Sequence, residues 1–423
     1  MNIAFYTLGC KVNQYETQVM REAFINKGHT AVPTSAPFDV LIINSCTVTA
    51  ESDRKTRQIL HRFRKNNSNA VIALTGCMVQ AFSEKSKALE GADIVIGNTD
   101  VLRVIESVEQ FLLDGKPIFE VGEHKRTERF NTPSIENFSE RTRAYMKIED
   151  GCDRFCSYCI IPTARGWVRS KPIDEIKAEA ERLAKNGFVE VVLVGINLTS
   201  YGKGENIDIC DAIDAVCEVE GIKRVRLGSL EPDHITDEML ERIKRQDKFC
   251  PQFHLSLQSG CDATLKRMNR HYDTAFYRDL VKRIRSTFEN AAITTDIMVG
   301  FAGETEQEFS ESLAFAKEIG FAKAHIFAYS RREGTVAYGL PNQVSNADKA
   351  DRSKRMIEAT IKTEEEFLDN YIGETMNVLF EAENEGYTEN YCRVVVENAD
   401  VTMGEIHPVR IIQRKNDILI GEI

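Results

Sequence analysis

The chain has 423 residues, a formal net charge of −11, and an ordinary globular composition of 42% hydrophobic and 28% charged residues. That length holds roughly two to three domains with proper cores, no apolar run approaches a membrane span, and the acidity argues mildly against nucleic acid except at a local basic face. Eleven cysteines, with no secretion signal in MNIAFYTLGCK, point to a reducing, cytoplasmic compartment, where spaced cysteines bind metal or do redox chemistry.

Residues 1–116 read as a doubly wound α/β domain. Apolar runs near 2–8, 39–44, 70–76 and 93–97 alternate with amphipathic stretches near 14–27, 51–66, 83–90 and 99–114, as parallel strands alternate with helices. Three cysteines follow directly on three of those runs: Cys10 after NIAFYTLG, Cys46 after DVLIINS and Cys77 after AVIALTG. Open α/β sheets build their sites at the carboxyl ends of strands, so these thiols are expected to converge. Three thiolates around one point suit an iron–sulfur cluster with one iron left free; three buried core cysteines are the plain alternative. The second helix carries RKTRQILHRFRKNN (54–67), with six Lys or Arg and no acid. Arg54, Lys55, Arg62 and Arg64 are its candidate phosphate contacts, set against the reading of a solvated face. Residues 117–143, including EHKRTERFNTPSIENFSERTR, lack apolar periodicity and read as a linker.

From 144 to 370 a second alternation begins, with strands in AYMKIE, VEVVLVGIN, RVRLGSL, QFHLSLQ, ITTDIMVG and KAHIFAY. Six β/α units in about 190 residues suggest a partial (β/α)6 TIM-like barrel, since a closed eight-unit barrel needs more chain. After its first strand comes GCDRFCSYC, placing Cys152, Cys156 and Cys159 in a CxxxCxxC loop on the rim where barrel enzymes do chemistry. Three thiolates fit a four-iron cube, whereas structural zinc wants a fourth ligand that no nearby residue supplies. Gly151 permits a tight turn and Tyr158 offers a flat face. Polar or small residues close the other strands: Gly195, Asn197, Ser229, Glu231, Gln258 and Gly300. Cys210, Cys217, Cys250, Cys261 and Cys392 read as core or incidental. A helix near 353–369 leads to residues 371–423, where ETMNVLFEAE, YCRVVVE, EIHPVRIIQR and DILIGEI suggest a small antiparallel, OB-like β-barrel. From Tyr371 onward it has four basic residues against ten acidic, so an RNA role requires Arg393, Arg410, Arg414 and Lys415 to share a face.

The compact and dispersed cysteine triplets together resemble the radical S-adenosylmethionine methylthiotransferases, over essentially the whole chain. The resemblance implies an auxiliary 4Fe-4S cluster on Cys10, Cys46 and Cys77 in domain 1–116. It implies a second 4Fe-4S cluster, on Cys152, Cys156 and Cys159, binding S-adenosylmethionine in domain 144–370, and a C-terminal RNA-binding TRAM barrel in 371–423. S-adenosylmethionine would both methylate a sulfide held at the auxiliary cluster and supply the radical that activates a C–H bond. Tyr158, Gly195, Asn197, Ser229, Glu231, Gln258 and Gly300 then become candidate S-adenosylmethionine contacts. Arg165, six residues past Cys159, is a candidate contact for a substrate carboxylate or phosphate.

The implied partners are tRNA at its anticodon stem-loop, a reductant such as flavodoxin or ferredoxin, and a sulfide source, for a monomer without a membrane association. GCKVNQYE resembles the group acting on N6-threonylcarbamoyladenosine beside the anticodon. Isopentenyladenosine tRNA and a ribosomal protein residue are the alternative substrates, the latter favoured by the acidic terminal barrel. A non-enzymatic iron–sulfur carrier or RNA-binding protein would leave the barrel and its polar rim without a purpose.

Overall fold

The computed structural model describes residues 1–138, 142–397 and 401–423. Its N-terminal part is a six-stranded parallel sheet in the spatial order Thr30–Val32, Asn2–Thr7, Val40–Ser45, Val71–Gly76, Ile94–Ile96, Ile118–Glu120. The central strands Val40–Ser45 and Val71–Gly76 are buried throughout, as a sheet covered on both faces requires. Met20, Phe24, Val104 and Val108, from helices Lys11–Asn26 and Arg103–Asp114, cover one face. Leu60, Phe63, Met78 and Val79, from Ala50–Asn66 and Cys77–Ala81, cover the other. Two three-residue edge strands escape the apolar pattern, and one of them, Ile118–Glu120, lies within the expected linker. Ile135 and Phe138 of that linker are buried in the barrel's core, so it is packed rather than loose; residues 139–141 lie outside the described residues.

Seven parallel strand segments form the second unit. Arg143–Lys147, Glu190–Val194 and Arg224–Leu227 make one run, and Ser229–Leu230, Gln252–Leu255, Ala292–Val299 and Lys323–Ala328 the next. The expected strand RVRLGSL is split at Gly228, whose N–H donates to the Leu193 carbonyl at 2.8 Å. A parallel bridge between Val225 and Phe249 joins the two runs into an open six-unit barrel. Helix Lys11–Asn26 packs on the strand at one open edge and the long helix Asn346–Asp369 on the strand at the other.

Strands Thr375–Phe380, Glu385–Thr388, Arg393–Val396, Ile406–Lys415 and Ile418–Glu422 form a closed barrel around Val378, Phe380, Val394, Val409, Ile411 and Leu419. Its strand Glu385–Thr388 was not expected, because EGYT carries no apolar alternation. This small barrel docks on the amino-terminal ends of the larger barrel's strands. Arg224 donates to the carbonyls of Tyr387 (3.0 Å) and Asn377 (2.8 Å), and Arg226 to that of Glu389 (2.9 Å). Arg143 pairs with Glu381 and stacks on Tyr387 and Tyr391. The C-terminal barrel therefore floors the larger one, at the end away from the CxxxCxxC loop. Among the described residues no helix is long and apolar enough to cross a membrane.

Candidate active site between two cysteine sets

Cys10 caps helix Lys11–Asn26, Cys46 follows strand Val40–Ser45, and Cys77 opens helix Cys77–Ala81, so all three stand at strand ends. They meet. A side chain on Gly9, whose φ is +110°, would lie 2.8 Å from Cys46 Cβ and 3.0 Å from its Sγ. Asn13 Oδ1 accepts from the thiols of Cys10 (3.8 Å) and Cys77 (3.9 Å). Asn13 Nδ2 donates to the carbonyls of Leu8 (2.8 Å) and Ser45 (3.0 Å), tying together the loops that present Cys10 and Cys46.

Arg165 does not face the rim. It is fully buried, donating to Cys77 Sγ at 3.1 Å, to Asn13 Oδ1 at 2.7 Å and to both oxygens of Glu16. Every guanidinium nitrogen is engaged inside the protein, so a substrate carboxylate or phosphate finds no free donor there. Lys147 completes this network, reaching Glu16 and Asp150 at 2.7 Å each. Asn13 and Glu16 of GCKVNQYE thus tie the Cys10 and Cys77 loops to Arg165. Burial pushes the Cys77 thiol up to about 12, with Arg165 pulling the other way.

The barrel triplet sits on a loop held at several points. Gly151 has φ +87°, and a side chain there would drive into the Trp167 carbonyl. Cys152 N–H donates to the Gly166 carbonyl at 3.0 Å, and Ser157 N–H to that of Met268 at 2.9 Å. Arg270, which the motif reading missed, lies 3.2 Å from Cys156 Sγ and pairs with Glu231. It reaches the loop from the MNRHYD turn, too far in sequence for any spacing rule to flag. Burial, then the neighbouring Cys156 charge, pushes the Cys159 thiol up to about 12. Glu149 is a second missed residue: it accepts from the Asn197 N–H at 2.7 Å, while its Oε1 is buried with no partner. Burial pushes its carboxyl up to about 8.

The strand-end residues divide. Gln258, at φ +67°, lines with Tyr158 and Cys159 a cavity of about 200 Å³ that Val48 and Thr49, just beyond Cys46, close from the N-terminal side. Gly195 and Ser229 line a larger cavity of about 610 Å³, together with Cys10, His254, Asp296 and His325. Asp296 borders both. Glu231 is held by Arg270. Asn197 spends its side chain on a local turn, donating to Ser200 Oγ at 2.7 Å. Gly300 is cramped against the Lys349 stem, and its N–H donates to Glu304 at 2.7 Å, so its close approach serves helix packing rather than adenine.

On the basic helix, Lys55 and Arg62 are exposed. Arg54 is tied to Glu51 at 2.5 Å. Arg64 donates to Asp93 and to the carbonyls of Gly91 and Ala70, a structural tie that leaves it unsuited to phosphate. In the terminal barrel Arg393 pairs with Glu385 and Arg414 with Asp369, so these two add no net positive charge to a shared face.

All six site thiols are free of disulfides. Among the described residues no three His, Cys, Asp or Glu side chains close tightly enough to enclose a single metal ion. Each triplet instead offers three thiols converging from separate backbone points, a donor set that fits a multi-iron cluster.

Residues 146–316 match the Radical SAM superfamily, and residues 2–97 match the Uncharacterized protein family UPF0004. The chain is 36% identical, over 97% of its length and 94% of the relative's, to the threonylcarbamoyladenosine tRNA methylthiotransferase MtaB of Bacillus subtilis strain 168. It is 34% identical to a tRNA-2-methylthio-N(6)-dimethylallyladenosine synthase of Clostridium perfringens strain SM101, over 99% of this chain and 96% of that one. Among solved structures it is similar in fold to TsrM, a radical S-adenosylmethionine methyltransferase of Kitasatospora setae, with a TM-score of 0.58, 11% identity, and coverage of 79% of this chain and 76% of that one. Sequence likeness of this extent, on a fold that brings the cysteines of each triplet together, leads to one conclusion: the chain is an enzyme of the radical S-adenosylmethionine tRNA methylthiotransferase family.

Proposed function

We propose that this enzyme transfers a methylthio group to carbon 2 of N6-threonylcarbamoyladenosine next to the tRNA anticodon. The observation that carries the reading is the space between the two cysteine sets: one cavity touches Cys159 and the loop after Cys46, and the adjoining one touches Cys10. A base held there lies between a radical source and a sulfur donor. Relatives that carry the threonylcarbamoyladenosine name, at 34–36% identity over 92–98% of the chain, support the substrate.

In this reading residues 1–116 hold an auxiliary 4Fe-4S cluster on Cys10, Cys46 and Cys77. Residues 144–370 hold another on Cys152, Cys156 and Cys159, and residues 371–423 form the TRAM-type barrel. The clusters and S-adenosylmethionine supply the methyl group, the sulfur and the radical when bound, with electrons from a flavodoxin- or ferredoxin-like donor and sulfide from a separate source. The protein's own work is placement. Glu149, whose Oε2 lies beside Gly195 and whose buried Oε1 has no partner, suits the amino group of S-adenosylmethionine, and Arg270 with Glu231 fixes the loop that presents Cys156. Tyr158 and Gln258 wall the smaller cavity.

Mass spectrometry of tRNA nucleosides from cells with and without the gene tests the proposal. Loss of 2-methylthio-N6-threonylcarbamoyladenosine, with its unmethylthiolated precursor accumulating, is the expected result. Loss of the isopentenyl counterpart instead would keep the enzyme class and replace the substrate.

A further inference from the structure

The last two barrel strands turn alternate residues toward the larger cavity, as a pleated strand must. Their register sets Lys323 beside Thr294 and His325 beside Asp296, and the preceding strand sets His254 beside Thr294. A compact polar patch results. His254 Nδ1 lies 3.0 Å from Thr294 Oγ1, its Nε2 lies 3.4 Å from Asp296 Oδ2, and the His254 and His325 rings stand 6.0 Å apart. Lys323 borders the patch, with Nζ 3.0 Å from Glu364 Oε1 and 3.7 Å from Asp417 Oδ2. All of these residues line the cavity that also receives Cys10.

We propose that His254, Asp296, His325 and Lys323 form the subsite for the threonyl half of the substrate's adduct. His325 and Lys323 face its carboxylate, and Asp296 accepts from its hydroxyl. The inference rests on the threonylcarbamoyladenosine reading and names the groups that enforce it. Lys323 shares its ammonium with Glu364 and Asp417 yet keeps 46% of its side chain exposed at the cavity, whereas Arg165, Arg270, Arg143 and Arg226 are buried against protein partners. His254 Nε2 faces Asp296 Oδ2 at 3.4 Å, so that oxygen is engaged within the patch, and His325 stands beside Asp296 in register. An isopentenyl tail in the same place would strip water from the two imidazoles, the carboxylate and the ammonium and return no hydrogen bond, which polar-lined sites reject strongly.

The test uses the holoenzyme and anticodon stem-loop RNA carrying the threonylcarbamoyl adduct either as its free acid or as its methyl ester. The ester keeps the shape and removes the charge. Wild-type kcat/KM is expected to favour the acid by about tenfold or more, the size of one charge-assisted hydrogen bond. In His325→Gln and Lys323→Met that ratio is expected to fall toward one. Equilibrium binding of the same two RNAs to the holoenzyme without reductant gives a second readout that needs no turnover. Should Lys323→Met disturb packing against the long helix, His325→Gln, at an exposed position, carries the test alone. A ratio unchanged in these variants overturns the subsite while leaving the substrate standing. A wild-type enzyme that methylthiolates isopentenylated RNA but neither adduct overturns the substrate and the subsite together.

Discussion

Arg270 places one guanidinium nitrogen 3.2 Å from Cys156 Sγ while the other donates to Glu231 and, at 3.1 Å, to the Ser256 carbonyl. A carboxylate from another strand thereby fixes a positive charge against the middle thiol of CxxxCxxC. A cation at that distance would offset negative charge on a cluster held in this loop. Arg270→Met should lower the iron held at the barrel site and make the remaining cluster harder to reduce, with Arg270→Lys recovering the charge but not the fork. Iron assays and potentiometric electron paramagnetic resonance check this. A Met variant with normal iron and normal potential would reduce Arg270 to a packing role.

The two cysteine sets should separate two half-reactions. Cys156→Ala should lose about one four-iron cube and all reductive formation of 5′-deoxyadenosine. Replacing Cys10, Cys46 and Cys77 together with Ala should leave that cleavage in place and abolish sulfur transfer. Full methylthiolation by the triple variant would make those three thiols core residues.

For the basic helix, the structure narrows the relevant charges. Lys55, Arg57, Arg62 and Lys65 are exposed, whereas Arg64 serves the fold. Neutralising the four exposed residues should weaken tRNA binding and flatten its salt dependence, at roughly 0.9 of log–log slope for each phosphate no longer neutralised. Arg64→Gln should instead lower the melting temperature and leave the slope alone. An unchanged slope in the fourfold variant means that RNA docks elsewhere.

Glu190 offers a pH test of how the terminal barrel is held. Burial works to raise its carboxyl, but Arg226 and Arg143 outweigh this and hold it below the usual carboxylate range. A carboxyl lowered by folding stabilises the native state above its unfolded value of about 4.3, and that contribution fades as pH falls through the native value. The melting temperature should therefore drop between about pH 5 and pH 3 more steeply in the wild type than in Glu190→Gln. At neutral pH the variant should be less stable by about 3–5 kcal/mol, because buried arginines lose their shared anion. Parallel melting curves for the two proteins would reject the idea.

Both cysteine sets, the two α/β units and the small terminal barrel were legible in the sequence, because strand period and cysteine spacing are local signals. What escaped was set by contacts between distant segments. Arg165 read as a rim residue from its six-residue distance to Cys159, yet a buried Glu16 contributed by another domain turned it inward. Arg270 and Glu149 carried no motif, and only folding brings them to the loop. Gly300 looked made for a nucleobase, and the space beside it belongs to Lys349. The strand Glu385–Thr388 hid behind a glycine, without which its neighbour's backbone would clash.

The brace on Cys77 has a consequence for how the protein matures. Arg165 follows Cys77 by 88 residues and Asn13 by 152, so the ribosome releases the N-terminal sheet well before the cation that completes it. Domains made first generally fold first. The N-terminal thiols therefore stand assembled but without their counter-charge until the barrel has formed and docked. If the proposed auxiliary cluster is loaded on these thiols, a fragment ending before residue 165 should carry all three cysteines yet hold less iron than the full chain, which an iron assay checks.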